Sequence, residues 1–375
     1  MKASNLRSVI AFTISGLAVS AAAQDCVIMN RLGTPTGGSQ LAYKLRLDGD
    51  LAILADGANG MRIFDVSDVS NPVLLSATTN PGGSRDVVVS GTTAYLAANN
   101  DLRIFDIADP TSPTLIGLYE TGSALAVALS GNALYTVYGS GFRVLDVSDP
   151  TNPVAVTSFS GGIPRTFLLR NDRLYVGGSE FSIYDISDPF SPVLLGSYDN
   201  PGGIKEIAIQ DNLAYIACEI HGLRILDISD PLIITEIGVY NPHPDILSVT
   251  VSDSYAYAGT WSAFYTLDIS VPNEPILKGT YTSGWSGGAY NSIAIRDGLL
   301  YSLSEYRGLE FLVPNYSCDD CLADINGNGR MDGQDFTAWI ASFNTGAPAC
   351  DQNGDRECTP ADFTAWISNY NAGCP

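Results

Sequence analysis

A nine-residue phrase recurs along this chain at nearly constant intervals, and it limits the possible folds more than any other feature. Leu223 to Pro231 reads Leu-Arg-Ile-Leu-Asp-Ile-Ser-Asp-Pro. Variants stand at Arg62-Ile-Phe-Asp-Val-Ser-Asp, Arg103-Ile-Phe-Asp-Ile-Ala-Asp-Pro, Arg143-Val-Leu-Asp-Val-Ser-Asp-Pro and Ser182-Ile-Tyr-Asp-Ile-Ser-Asp-Pro, with a looser copy at Thr266-Leu-Asp-Ile-Ser. The first Asp of each falls at 65, 106, 146, 185, 227 and 268, in steps of 41, 40, 39, 42 and 41 residues. A fixed period near forty residues means a repeat architecture.

Each period contains four apolar, β-branched runs separated by turn formers. In the second copy they are Val87 to Val89, Ala94 to Ala97, Leu102 to Ile107 and Thr114 to Leu118, divided by Ser-Gly, Asn-Asn and Asp-Pro-Thr-Ser-Pro. Such runs read as short strands joined by hairpins. The Asp-Pro-x-x-Pro segment is a turn with a mechanism, because the Asp side chain accepts from backbone N–H groups two or three residues on and Pro sets φ for the bend.

Four-stranded units of this length, repeated in a ring, make the blades of an all-β propeller. A bulky second-strand residue recurs at Ile53, Tyr95, Tyr135, Tyr175, Tyr215, Tyr257 and Tyr301, which counts seven blades. The seventh unit has no fourth strand after Leu309 to Val313. Val27-Ile-Met before Thr34-Pro-Thr-Gly-Gly-Ser parallels Val73-Leu-Leu before Asn80-Pro-Gly-Gly-Ser. The N-terminal strand is therefore expected to complete the last blade, closing the ring and removing two exposed sheet edges.

On these residues the chain resembles the LVIVD-repeat family, whose consensus is close to Leu223 to Pro231 as it stands. The resemblance covers about residues 40 to 313 and implies the propeller fold; it carries little about activity. WD40 signatures and the paired glycines of kelch blades are absent.

The chain's first residues read as an export signal. Lys2 and Arg7 precede an apolar stretch from Val9 to Val19, and Ala21-Ala-Ala-Gln offers small residues for cleavage after Ala23. The stretch is too short to span a bilayer, so no membrane insertion is expected. The expected division is a leader over 1–23, the propeller over 24–313, a linker over 314–317 and a small domain over 318–375. Nineteen basic residues against 40 acidic ones give a formal charge of −21, a surface that repels nucleic acid and anionic lipid but suits calcium, neutral sugars or cationic partners. Five of the seven cysteines, Cys318, Cys321, Cys350, Cys358 and Cys374, lie in the last domain, where an exported chain uses disulfides as staples. Their pairing does not follow from the sequence; Cys218 is expected to be free and buried.

The tail carries two calcium-loop patterns. Asp324-Ile-Asn-Gly-Asn-Gly-Arg-Met-Asp-Gly-Gln-Asp335 puts oxygen side chains at loop positions 1, 3, 5, 9 and 12 and Gly329 at the sharp turn in position 6. A second copy runs from Asp351 to Asp362, starting 27 residues after the first, and each is followed by Phe-Thr-Ala-Trp-Ile. Two such loops, each with one helix and with Asp at position 12, resemble the type I dockerin module over about residues 318 to 375. The resemblance implies a small α-helical domain with Ca2+ held by Asp324, Asn326, Asn328, the Arg330 carbonyl, Asp332 and Asp335, and by Asp351, Asn353, Asp355, the Glu357 carbonyl, Thr359 and Asp362. It also implies a cohesin-like or cell-surface protein as partner. Arg356 stands at the second loop's turn, where φ > 0 is expected at a cost on the order of 1 kcal/mol, so the second site should bind more weakly.

Ten residues before each second-strand marker lies the mouth of the innermost strand, giving Tyr43, Arg85, Leu125, Arg165, Lys205, Leu247 and Asn291. Three of these seven are basic in a chain poor in Lys and Arg. Neighbouring loops add Glu219, His221, Trp261, Trp285, Glu305, Tyr306 and Arg307. Arg85, Arg165, Lys205, His221, Trp261, Trp285 and Tyr306 are thus the candidate ligand-binding residues, suited to a glycan, a carboxylated sugar or another anion. Asp86, Glu206 and Asp245 offer these cations partners that would keep the channel solvated. Gly284-Trp-Ser-Gly-Gly288 matches a nucleophile-elbow pattern but lacks its strand and helix. The expected function is a secreted, non-catalytic binding or scaffold propeller, anchored to a surface or polysaccharide-degrading complex by its calcium-dependent tail. The alternative is a carbohydrate-active hydrolase or lyase acting at the mouth.

Overall fold

The computed structural model of the chain describes residues 24–25, 28–33, 42–79, 83–200, 202–241, 245–282, 288–304, 308–315, 325, 330–331, 333–345, 350 and 358–372. The chain divides into two compact units, one over Cys26–Tyr316 and one combining Met1–Asp25 with Ser317–Cys374.

The larger unit is a propeller of seven four-stranded antiparallel sheets. After β1 (Gln24–Asp25) and β2 (Ile28–Gly33), the first blade is β3 (Lys44–Asp48), β4 (Leu51–Ala55), β5 (Met61–Asp65) and β6 (Val73–Ala77). The second is β7 (Ser84–Ser90), β8 (Thr93–Ala98), β9 (Asp101–Asp106) and β10 (Thr114–Glu120). The third is β11 (Val127–Ser130), β12 (Ala133–Tyr138), β13 (Gly141–Asp146) and β14 (Val154–Ser160), and the fourth β15 (Thr166–Arg170), β16 (Arg173–Gly177), β17 (Glu180–Asp185) and β18 (Val193–Asp199). The fifth is β19 (Glu206–Gln210), β20 (Leu213–Ala217), β21 (Leu223–Asp227) and β22 (Thr235–Tyr240), and the sixth β23 (Ile246–Ser252), β24 (Tyr255–Thr260), β25 (Phe264–Asp268) and β26 (Ile276–Tyr281). The seventh contributes β27 (Tyr290–Arg296), β28 (Leu299–Ser304) and β29 (Gly308–Asn315). Its outer strand is β2, which pairs antiparallel with β29 from Ile28↔Asn315 to Gly33↔Phe311. The N-terminal strand closes the ring as expected. Pro314 and Asn315 pair with Met29 and Ile28, so part of the stretch expected as a linker belongs to the last blade.

The core lies between the blades. Each of seven buried apolar clusters takes its residues from two consecutive blades, and one joins the seventh blade to the first through Tyr301, Leu303, Leu309 and Phe311 against Leu45, Leu54, Phe64 and Val66. Side chains alternate along a strand. In β4, Ala52 and Leu54 face the seventh blade while Ile53 and Ala55 face the second. Both faces are covered, which is why the second strands read as continuous apolar runs. All seven second-strand markers face the following blade and are at most 5% exposed.

Outer strands and turns repeat one inter-blade contact. The pairing of third and fourth strands skips a residue in each of the first six blades, for example between Leu115 and Gly117, which is the mark of a β-bulge. The bulge brings Gly117, Gly196 and Gly238 so close to the Pro150, Pro231 and Pro272 carbonyls of the next blade's turn that a Cβ would lie 2.1 Å away. In the turn itself the two Asp residues of the repeated phrase each accept from the backbone N–H two residues on: Asp65 from Ser67, Asp68 from Ser70, Asp227 from Ser229 and Asp230 from Leu232. The Ser67, Ser70, Thr111 and Thr151 hydroxyls, followed by the same residues' backbone N–H groups, hold the Asp65, Asp68, Asp109 and Asp149 carboxyls below the usual range. For Asp185 and Asp227 the backbone N–H of Ser187 and Ser229 is the larger cause.

The first strands neighbour one another around the whole ring, with β27 meeting β3. Just inside the mouth their side chains staple blade to blade. Asp86 accepts from Val127 N–H, Glu206 from Val249 N–H and Ser292 Oγ from Leu45 N–H, while Ser248 Oγ donates to the Tyr290 carbonyl. One pair does more than join neighbours. Lys44 of the first blade donates to Glu206 of the fifth at 2.5 Å, with both residues buried, so the pair spans the central channel. Burial pushes the Glu206 carboxyl up, and Lys44 and then Arg46 draw it back. Arg46 itself pairs with Asp86 at 3.2 Å.

The smaller unit holds β1 paired with β30 (Arg330–Met331) and the two helices found among the described residues, α1 (Gly333–Thr345) and α2 (Pro360–Ala372). They pack through matching aromatics, with Phe336 and Trp339 of α1 meeting Phe363 and Trp366 of α2 at centroid distances of 5.3 to 6.4 Å. Cys350 and Cys358 form a disulfide, and the Trp339 indole N–H donates to the Cys350 carbonyl. No helix among the described residues is long and apolar enough to cross a membrane.

Two outcomes follow. Lys44→Met leaves Glu206 buried without its cation and should lower unfolding free energy by about 3 to 5 kcal/mol, whereas Lys44→Met with Glu206→Leu should recover much of the loss; chemical denaturation checks both. The turn carboxyls have folded pKa values below their unfolded ones, so their contribution is present above the unfolded value of about 3.9 and is lost as pH falls through the folded values. The urea midpoint should therefore drop between pH 5 and pH 3 at constant ionic strength.

Candidate ligand-binding site

Chain direction places the start of each first strand and the loop between second and third strands on one face of the propeller. Arg165 and Lys205 immediately precede β15 and β19, and Arg85 is the second residue of β7, so all three stand at the mouth. Their partners differ from those expected. Asp86 pairs with Arg46 and Glu206 with Lys44, both inside the channel, and the Asp245 carboxylate accepts from the Trp261 indole N–H at 3.3 Å. Arg85 instead donates to Asn99 at 2.8 Å and lies 4.2 Å from the centre of the Tyr43 ring. Arg165 and Lys205 share Glu219, with Arg165 Nη1 3.5 Å from Oε2 and Lys205 Nζ 2.9 Å from Oε1. All three side chains are between 32% and 42% exposed. The channel-spanning Lys44–Glu206 pair lies immediately after Tyr43 and Lys205 in the strands, so it braces the channel below this cluster.

The backbone at Glu219 is unusual. The loop Cys218-Glu219-Ile220-His221-Gly222 has the same hydrogen bonds as Asp56-Gly57-Ala58-Asn59-Gly60 in the first blade. Cys218 N–H donates to the Gly222 carbonyl as Asp56 does to Gly60, and His221 N–H donates to Cys218 as Asn59 does to Asp56. Each loop makes an isolated bridge to the next blade, Gly57 to Ser84 and Glu219 to Ile246. The two bridging residues have φ of +48° and +49°, a left-handed conformation that costs a side-chain-bearing residue on the order of 1 kcal/mol or more. Glycine meets that requirement in the first blade. In the fifth blade a carboxylate-bearing residue is held there, and strain of this kind gathers at functional positions. The sequence marked Glu219 only as a nearby loop residue, although aligning it with Gly57 would have singled it out.

The remaining candidates divide between the described and undescribed parts. His221 packs on Gly202, where a Cβ would lie 2.4 Å from the imidazole Cδ2. Trp261 stands in the sixth blade's loop with 48% exposure, and Ile163 (φ +37°) and Ile220 are also solvent-facing on the mouth side. Cys218 is free and fully buried, one residue beyond β20; burial pushes its thiol up to about 12, which makes it a poor nucleophile. Trp285, Glu305, Tyr306 and Arg307 lie outside the described residues. So do the calcium-loop positions Asp324, Asn326, Asn328, Asp332, Asp351, Asn353, Asp355 and Glu357. Arg330, Asp335, Thr359 and Asp362 are described. Asp335 and Asp362 are fully buried in the first turns of α1 and α2, and Thr359 caps α2 by donating its backbone N–H to Asp362 Oδ2 at 2.7 Å.

No curated protein matches the chain in sequence. Among solved structures it is similar to the computationally designed Ika8 protein, at 12% identity and a TM-score of 0.57, over 77% of this chain and 91% of that one; the likeness is one of fold. The LVIVD repeat matches residues 41–79, 81–121, 121–160, 170–200, 201–242 and 245–283. These segments cover more than half of the chain and follow the first six blades one for one. The chain belongs to the LVIVD repeat family.

Proposed function

We propose that the protein is an exported, non-catalytic binding module in which the propeller mouth holds a glycan and the tail attaches the propeller to a partner in a calcium-dependent manner. The observation that carries the binding half is the convergence of Arg165 and Lys205 on Glu219, a residue held in a strained backbone at a partly exposed mouth. Among the described residues, three carboxylates at or below the mouth are engaged, Glu219 by two cations, Asp86 by Arg46 and Glu206 by Lys44, which favours holding a ligand over cleaving it. The attachment half is supported by the matched helices of the tail, with Asp335 and Asp362 buried at equivalent first-turn positions and Phe336 and Trp339 answered by Phe363 and Trp366. In this reading the tail's loop oxygens take two Ca2+ ions, and a cohesin-like or cell-surface protein receives the helices.

Calcium titration of the full chain by calorimetry should give two sites, the second roughly tenfold weaker because of the turn at Arg356. In parallel, the chain should be retained by a polysaccharide without release of new reducing or unsaturated ends. Failure to take up calcium would end the attachment reading, and new chain ends would make the protein an enzyme.

A further inference from the structure

We propose that Arg165, Glu219 and Lys205 form a subsite for a vicinal diol of an uncharged sugar, with Glu219 as its specificity-determining residue. This rests on the reading that the mouth holds a glycan. The two cations alone suggest an anion site, and the sequence reads that way. The geometry places a carboxylate between them, one oxygen toward each cation. An incoming carboxylate or phosphate would meet Glu219 as a like charge, in a chain whose formal charge is already −21. A hydroxyl meets no such conflict, because it accepts from a cation's N–H and donates to a carboxylate at once. Two adjacent hydroxyls can therefore bridge Arg165 to one oxygen of Glu219 and Lys205 to the other by charge-assisted hydrogen bonds.

The surroundings hold this arrangement in place. Glu219 is tied to the sixth blade by paired backbone hydrogen bonds with Ile246 of 3.0 and 3.1 Å. The loop before β19 runs so close that a Cβ on Gly203 would lie 2.8 Å from Arg165 Nη1 and 3.1 Å from Glu219 Oε2. The left-handed backbone of Glu219 is the conformation that Gly57 adopts freely in the equivalent loop, so glycine would serve the fold at least as well there. What glycine lacks is the carboxylate. Trp261, exposed on the next blade, offers a flat apolar face of the kind that stacks on sugar C–H groups.

The test is affinity electrophoresis of the full chain in native gels containing soluble neutral polysaccharides (mixed-linkage β-glucan, arabinoxylan, galactomannan) or acidic ones (polygalacturonate, alginate), beside thermal melts. The parent should be retarded by at least one neutral polymer. Glu219→Gln and Glu219→Gly should each weaken that retention by about tenfold or more, the scale of a lost charge-assisted hydrogen bond. Glu219→Gly should melt no lower than the parent. Retention by acidic polymers alone, or unchanged or tighter retention in Glu219→Gln, overturns the diol assignment while leaving a glycan at the mouth. Failure of every polymer to retard the parent removes the glycan reading and this inference together.

Discussion

The structure depends on the pairing of blade faces. A four-stranded sheet with apolar side chains on both sides cannot be stable alone, because each face needs a partner. In this chain every blade buries one face against the blade before it and the other against the blade after, through clusters such as Tyr135, Val144, Phe167 and Val176. A linear array would leave two end faces open. The ring removes both, and the cluster that does so joins Tyr301 and Phe311 of the seventh blade to Leu45 and Phe64 of the first. That layer needs a properly formed seventh blade, whose outer strand comes from Ile28–Gly33.

Closure brings distant residues together at the channel. Lys44 and Glu206 are 162 positions apart in sequence and on non-adjacent blades, yet they meet at 2.5 Å. Burying them has a desolvation cost that a surface pair would not have, and the added hydrogen bond from Val249 N–H to Glu206 offsets part of it. The strand that carries Glu206 begins directly after Lys205, so the channel brace and the candidate ligand site occupy consecutive positions there.

Much of this architecture was legible in the sequence because it is local and repeated. The second-strand markers and the turn aspartates follow from alternation and turn chemistry within one blade's length, the period from their recurrence, and the N-terminal closing strand from the fourth strand missing after Val313. The partners of the mouth cations were not legible. Asp86 and Glu206 directly follow Arg85 and Lys205, which made them the obvious partners. Arg85 sits at a register shift in β7 and Lys205 just before β19, and the carboxylates that follow them pair inside the channel with Arg46 and Lys44. Glu219 takes their place because the turn after β20 carries it back over the mouth, a convergence that three separate loops must make together. The tail's calcium loops were named from spacing and resemblance, and of them the structure describes Arg330, Asp335, Thr359 and Asp362.

The closed ring is tested most directly by removing its last strand. A chain beginning at Thr34 lacks the partner of β29, so the seventh blade keeps three strands and its contact with the first blade is weakened. Thermal unfolding followed by tryptophan fluorescence and circular dichroism should show the truncated chain melting roughly 10 °C or more below the full one, with a broader transition. An unchanged melting temperature and an equally sharp transition would contradict the account, because the ring would then stand without the strand proposed to seal it.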